Sequence, residues 1–109
     1  MLTREAILYV QDLPREAVEV PEWGGQVWMR TMTGTERDAF EASMLTEEKG
    51  KMNLANMRAR LVVLCLVDDQ GTRLFADSEA DLLGAKSGAA LDRLFAVAQR
   101  LNGLGSGDV

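Results

Sequence analysis

The sequence has no histidine. Imidazole is the side chain that titrates nearest neutral pH. Ser–His and Cys–His nucleophilic catalysis, the usual proton shuttle and imidazole metal ligation are therefore excluded. A lone cysteine, Cys65, leaves no intrachain disulfide and no thiolate zinc site. Its setting, Leu64-Cys65-Leu66, is that of a small buried apolar residue and not of a reactive thiol. Long apolar runs are missing too: the longest, residues 61–67, is far below the ~18 residues of a membrane span. The opening Met1-Leu2-Thr3-Arg4-Glu5 has no apolar region of a secretory signal, so a cytoplasmic location follows by default. Bases are scarce, 12 against 17 acids, for a net charge of −5. The nearest thing to a basic patch is Arg58-Ala59-Arg60, whose arginines at i and i+2 point to different sides of a helix. A phosphate-binding face is not expected. The acidic balance favours solubility, useful to a protein that carries an apolar partner.

What is present is globular. With 47% apolar and 27% charged residues the chain lies outside the disordered class. Its 109 residues suit one domain, spanning residues 1–104, that buries roughly 65% of its unfolded surface. The glycine-rich residues 105–109 read as a flexible tail.

Residues 3–11 read as a short helix capped by Thr3, with Ala6, Ile7 and Val10 at helical spacing and Pro14 ending it. Ala17-Val18-Glu19-Val20 alternates, Gly24-Gly25 suits a two-residue turn, and residues 27–32 return. That turn sets Trp23 opposite Gln26, Val20 opposite Met29, Val18 opposite Thr31 and Glu19 opposite Arg30. Pro21 lacks a ladder donor, which makes the first strand an edge.

Thr33-Gly34-Thr35-Glu36 has capping-box form and opens a helix to about residue 45; polar residues 46–52 form a loop. Residues 54–66, capped by Asn53, form a helix whose second half is apolar on every side, hence central and buried. A buried strand over residues 61–67 competes with that reading. Asp68-Asp69-Gln70-Gly71 is a turn, residues 72–76 a short extended piece and residues 77–83 a brief helix. Ser87 caps a last helix ending near Asn102, with Gly103 beyond it. The fold class is α+β: an N-terminal antiparallel β-hairpin and a mainly helical remainder of about four to five helices.

Several motifs fail on inspection. Asp77-Ser78-Glu79-Ala80-Asp81 has the alternate carboxylates of a calcium loop, but Leu82 stands at the glycine position and Gly88 at that of the closing glutamate. Gly103-Leu104-Gly105 follows a helix, so it is no dinucleotide loop. Paired carboxylates hydrolyse glycosides, yet a chain this short leaves little room for a cleft. The five internal methionines are expected mostly as gap-fillers in the core. No catalytic, cofactor or metal residues emerge.

Three blocks, taken in order, carry a resemblance. They run from Val18-Glu19-Val20-Pro21-Glu22-Trp23-Gly24-Gly25 to Arg30-Thr31-Met32-Thr33-Gly34-Thr35-Glu36-Arg37-Asp38-Ala39-Phe40-Glu41, from Arg58-Ala59-Arg60-Leu61-Val62 to Val67-Asp68-Asp69-Gln70-Gly71-Thr72-Arg73-Leu74-Phe75, and from Gly84-Ala85-Lys86-Ser87 to Ala96-Val97-Ala98-Gln99-Arg100-Leu101-Asn102-Gly103-Leu104. Over residues 3–104 the chain resembles the tail assembly chaperones of siphophages and related prophages. The resemblance implies a non-enzymatic protein without cofactors. Such a protein binds the tape measure protein, keeps its apolar helices soluble in the host cytoplasm, helps recruit tail tube subunits and is absent from the finished virion. It also implies a longer form made by ribosomal frameshifting, through which the tail tube protein is reached. Self-association is a further expected contact; nucleic acid and membrane are not expected.

The resemblance brings no motif residues for a binding site. Candidate anchors are the stripe of the last helix: Leu91, Leu94, Phe95, Ala98 and Leu101. The same stripe serves equally as intramolecular core, the expectation for at least half of it. A head–tail connector or minor tail component is the alternative function, with a small transcriptional regulator or an enzyme of unrecognised type behind it.

Overall fold

A computed structural model describes residues 1–46 and 50–104. Its elements are α1 (Arg4–Tyr9), β1 (Arg15–Val20), β2 (Gly25–Arg30), α2 (Gly34–Ser43), α3 (Met57–Cys65), β3 (Leu66–Val67), α4 (Ala80–Gly84) and α5 (Gly88–Leu101). The α+β class is the one the sequence implies, with a third strand added to the hairpin in the order β1-β2-β3. The tail of residues 105–109 and part of the loop expected at residues 46–52 lie outside the described residues.

The starts of α1, α2 and α5 fall where capping residues place them, but α3 begins at Met57 and not at residue 54. Asn53 Oδ1 accepts from the nearby Ala55 amide in the connection, and the residue before the helix is Asn56, at φ +51° and without a side-chain cap. Thr3 Oγ1 accepts from the Ala6 amide and Ser87 Oγ from that of Ala90. At α2, Thr33 Oγ1 accepts from the Glu36 amide at 3.1 Å while Glu36 Oε1 accepts from the Thr33 amide at 2.9 Å, completing the capping box. Gly103, at φ +65°, closes α5, and Leu104 N–H donates back to the Gln99 carbonyl at 2.7 Å.

The hairpin differs from expectation in its turn. The chain bends at Pro21, which starts a single 3₁₀ turn (Pro21–Trp23), and Gly24 alone takes a positive φ, +76°. Gly25 is already strand. Proline's fixed φ suits the first position of a tight turn, so the reversal begins three residues before the Gly24-Gly25 pair. Val20 therefore pairs with Gly25, Val18 with Val27, Glu19 with Gln26 and Glu16 with Met29. The Glu19–Arg30 pair is lost. The slip is even-numbered, so the faces survive: Val18, Val20 and Met29 all point into the core. β1 is an edge strand, as expected, although Pro21 itself lies in the turn beyond it and not in the ladder.

α3 is central. Ala59 and every residue from Leu61 to Cys65 are buried. The two readings of residues 61–67 divide at Cys65, where the helix stops, and Leu66 and Val67 pair antiparallel with Met29 and Trp28. The last-turn carbonyls thus freed are met by arginines: Arg73 Nε donates to Val63 O at 3.1 Å and Arg30 Nη2 to Leu64 O at 3.2 Å. Glu36 lies between both guanidiniums, 2.8 Å from Arg30 and 3.7 Å from Arg73. One carboxylate so joins β2, α2, the end of α3 and the segment after β3.

α5 packs on α3 and on the inner face of the sheet, with Ala90, Leu94 and Ala98 fully buried. Its outer flank is fastened to β1 and the hairpin turn by the ion pairs Arg100–Glu16 and Arg93–Glu22. The arginine hydrogen bonds hold both carboxyls below their usual range. Because the folded value is the lower one, this small contribution is present at neutral pH and is lost as the pH falls through it. Asn102 finishes the helix: its Oδ1 accepts from the Met32 amide at 2.8 Å and its Nδ2 donates to Ala98 O. Nδ2 also lies 3.6 Å from Cys65 Sγ, in a site whose burial pushes the thiol up to about 11. No thiolate is available there at neutral pH.

Candidate partner-binding surface

The stripe of α5 divides between core and surface. Leu91, Leu94 and Ala98 are buried under the sheet and α3, whereas Phe95 and Leu101 are half-buried at the edge of the core. Three of the five residues are thus committed to holding the domain together. Leu91 also borders a polar hollow with Arg58 and Lys86, and Phe95 opens onto a separate, apolar concavity.

That concavity is an apolar groove of about 420 Å³ between α2, the start of α3 and α5. Phe95 and Leu104 form one side, Leu61 and Met57 its floor, and Phe40, Met44, Leu45 and Met52 the other. Leu45 and Met52 are 72% and 59% exposed, a high value for large apolar side chains on a small domain. Arg58 stands over the Phe95 ring at 5.9 Å and also pairs with Asp92, marking one polar rim. Arg37 and Glu41 pair on the opposite rim.

The methionines depart from expectation. Met29 and Met32 do fill the core, but Met44, Met52 and Met57 gather along the groove. They come together because an antiparallel bridge pairs Leu45 with Met52, a contact no local pattern announces. Unbranched thioether side chains adapt to differently shaped apolar partners. A second apolar hollow of similar volume, lined by Trp23, Val27, Leu74 and Phe75, lies beside the hairpin turn. It lacks the methionines and any residue of the α5 stripe.

α1 is the other apolar surface. None of its residues is buried; Ile7, Leu8, Tyr9 and Val10 are all more than half exposed. A six-residue helix with no buried residue gains little from its own hydrogen bonds. Ala6, Ile7 and Val10, which share the helical spacing, are all exposed.

Among the described residues no group of acidic or cysteine side chains is arranged to hold a metal, and no helix is long and apolar enough to cross a membrane. The class these features define is a small α+β domain with an open, methionine-lined apolar groove and an exposed N-terminal helix. The chain belongs to the phage tail assembly chaperone family, whose model matches residues 3–108. In fold it is similar to the bacteriophage HK97 tail assembly chaperone, with a TM-score of 0.64 and 18% identity over 89% of this chain and 94% of that one. No curated protein matches it significantly.

Proposed function

We propose that this chain is a non-enzymatic chaperone of phage tail assembly that shields apolar helical segments of the tape measure protein in the host cytoplasm. The observation that carries this reading, beside family membership, is the exposed apolar groove around Phe95. An amphipathic helix laid into it covers Leu45 and Met52 and inserts its own apolar residues among Met44, Met57 and Phe95. The net charge of −5 keeps the loaded protein soluble. Recruitment of tail tube subunits belongs to the same proposal, through a longer frameshifted form, as does absence from the finished virion.

Co-expression with the tape measure protein of the same phage or prophage is the direct test. The soluble fraction of the tape measure protein should rise several-fold, and this chain should co-purify with it. An equal soluble fraction with and without this chain would refute the proposal. Finding the chain in purified mature particles by mass spectrometry would favour the connector reading instead.

Self-association is the second contact we propose, on the strength of α1. Sedimentation velocity should show species larger than a monomer at tens of micromolar, reduced by the double substitution Ile7→Ser and Leu8→Ser. A monomer at every concentration rules the contact out.

A further inference from the structure

We propose that Arg60 is the positioning residue of the groove: from α3, its guanidinium holds the chain leading out of α2 and into α3 in the shape that makes the methionine-lined wall. This rests on the reading that the groove receives the partner.

The geometry is that of a clasp. Arg60 is half-buried, and its Nε donates to Ala55 O at 2.9 Å. Its Nη1 donates to Ser43 O at 2.8 Å and Ser43 Oγ at 2.6 Å, and its Nη2 to Asn53 O. One side chain thus gathers three carbonyls and a hydroxyl from both ends of the connection. The Ser43 carbonyl sits at the end of α2, where the last carbonyls have no partner within the helix. The planar guanidinium presents five donors in a fixed fork; an ammonium directs three from a single point and cannot span these acceptors.

Other contacts join the same two stretches: Asn53 N–H donates to Met44 O at 2.7 Å, Asn53 Nδ2 to Ser43 O at 3.3 Å and Thr46 Oγ1 to Lys51 O at 3.3 Å, and Leu45 pairs with Met52. Apolar burial gives the wall little support of its own, since Leu45, Met52 and Leu54 are each more than half exposed. Its shape therefore depends on polar fastening, and Arg60 is the one side chain that supplies four of those hydrogen bonds, to Ser43, Asn53 and Ala55. A wall left loose must be ordered when a helix docks, and that cost comes directly out of affinity.

Hydrogen exchange of the full chain, compared among the wild type, Arg60→Met and Arg60→Lys, tests the clasp. In Arg60→Met the amides of Asn53, Ala55 and Met57 should exchange at least tenfold faster, while those of α3 from Val62 onward and of β2 keep wild-type protection. Arg60→Lys should fall between. Unchanged exchange, or acceleration spread uniformly over α3 and β2, overturns the clasp. The same variants are then co-expressed with the tape measure protein, beside Phe95→Asp. Loss of solubilisation by Arg60→Met, partly restored in Arg60→Lys, is the expected result. If Phe95→Asp loses solubilisation and Arg60→Met does not, the positioning role of Arg60 fails and the groove reading stands. If neither variant loses it, the groove reading itself fails and the role of Arg60 with it.

Discussion

Glu36→Gln should lower stability by about 3–5 kcal/mol, the cost of leaving a largely buried charge without its partner. The side chains of Arg30 and Glu36 are only 11% and 16% exposed, and Arg73 shares the same carboxylate. Glutamine keeps the shape and still offers an oxygen to the Thr33 amide, so the substitution removes the charge and spares the cap. Two guanidiniums, held in place by the Val63 and Leu64 carbonyls, would then face each other with less compensation. The melting temperature should fall by roughly 10 °C or more in a domain of this size.

Thr33→Ala is the matched control. It removes the hydroxyl that accepts from the Glu36 amide and leaves the ion network whole. Loss of an N-cap of this kind costs about 1 kcal/mol. If thermal unfolding gave the two variants the same loss, the network would contribute no more than a cap, and the central place given to Glu36 would be wrong. Arg30 shows why the network forms at all. Opposite it in the hairpin stands Arg15, a like charge that offers it nothing. Arg15 turns instead to the Asp69 carbonyl at 2.7 Å and stacks over Trp28, whose indole N–H donates to Asp69 Oδ1. Arg30 is left to Glu36.

Much of this fold was legible because local chemistry determined it. Thr3, Thr33 and Ser87 each cap the helix that their sequence context assigned to them, and Gly103 ends α5 as its place beyond Asn102 implied. The all-round apolar character of residues 61–65 correctly marked α3 as the centre. The hairpin register was not legible in the same way. Gly24-Gly25 is the stronger conventional turn signal, and proline at position 21 overrode it; only the parity of the strands, fixed by burying Val18, Val20 and Met29, was safe. The groove was least legible. Met44, Met52 and Met57 fit no single helical face, and they meet through the Leu45–Met52 bridge and the Arg60 hydrogen bonds, both products of tertiary folding. The stripe of α5 contains one residue, Phe95, that lines the groove, but periodicity cannot separate a residue facing the core from its neighbour facing a groove.

That separation yields the second large effect, in two adjacent residues with opposite outcomes. Leu94 is fully buried beneath the sheet, and Leu94→Ala should cost about 2–5 kcal/mol, combining lost transfer free energy with the cavity left behind. Against a total stability of about 5–15 kcal/mol for a domain, that brings the chain close to unfolding. One residue on, Phe95 turns by about 100° around the helix and reaches the groove, touching the core with one side only. Phe95→Ser should cost less stability, because the side chain is only partly buried at the edge of the core, yet it removes the aromatic side of the groove. Chemical denaturation and tape measure co-expression, run on both variants, should therefore cross. Leu94→Ala shifts the denaturation midpoint strongly, and at a temperature where it remains folded it still solubilises the partner. Phe95→Ser keeps most of its stability and solubilises poorly. If both substitutions changed stability and solubilisation in parallel, α5 would act only as a core helix, and the partner surface would have to be sought on α1 or beside Trp23.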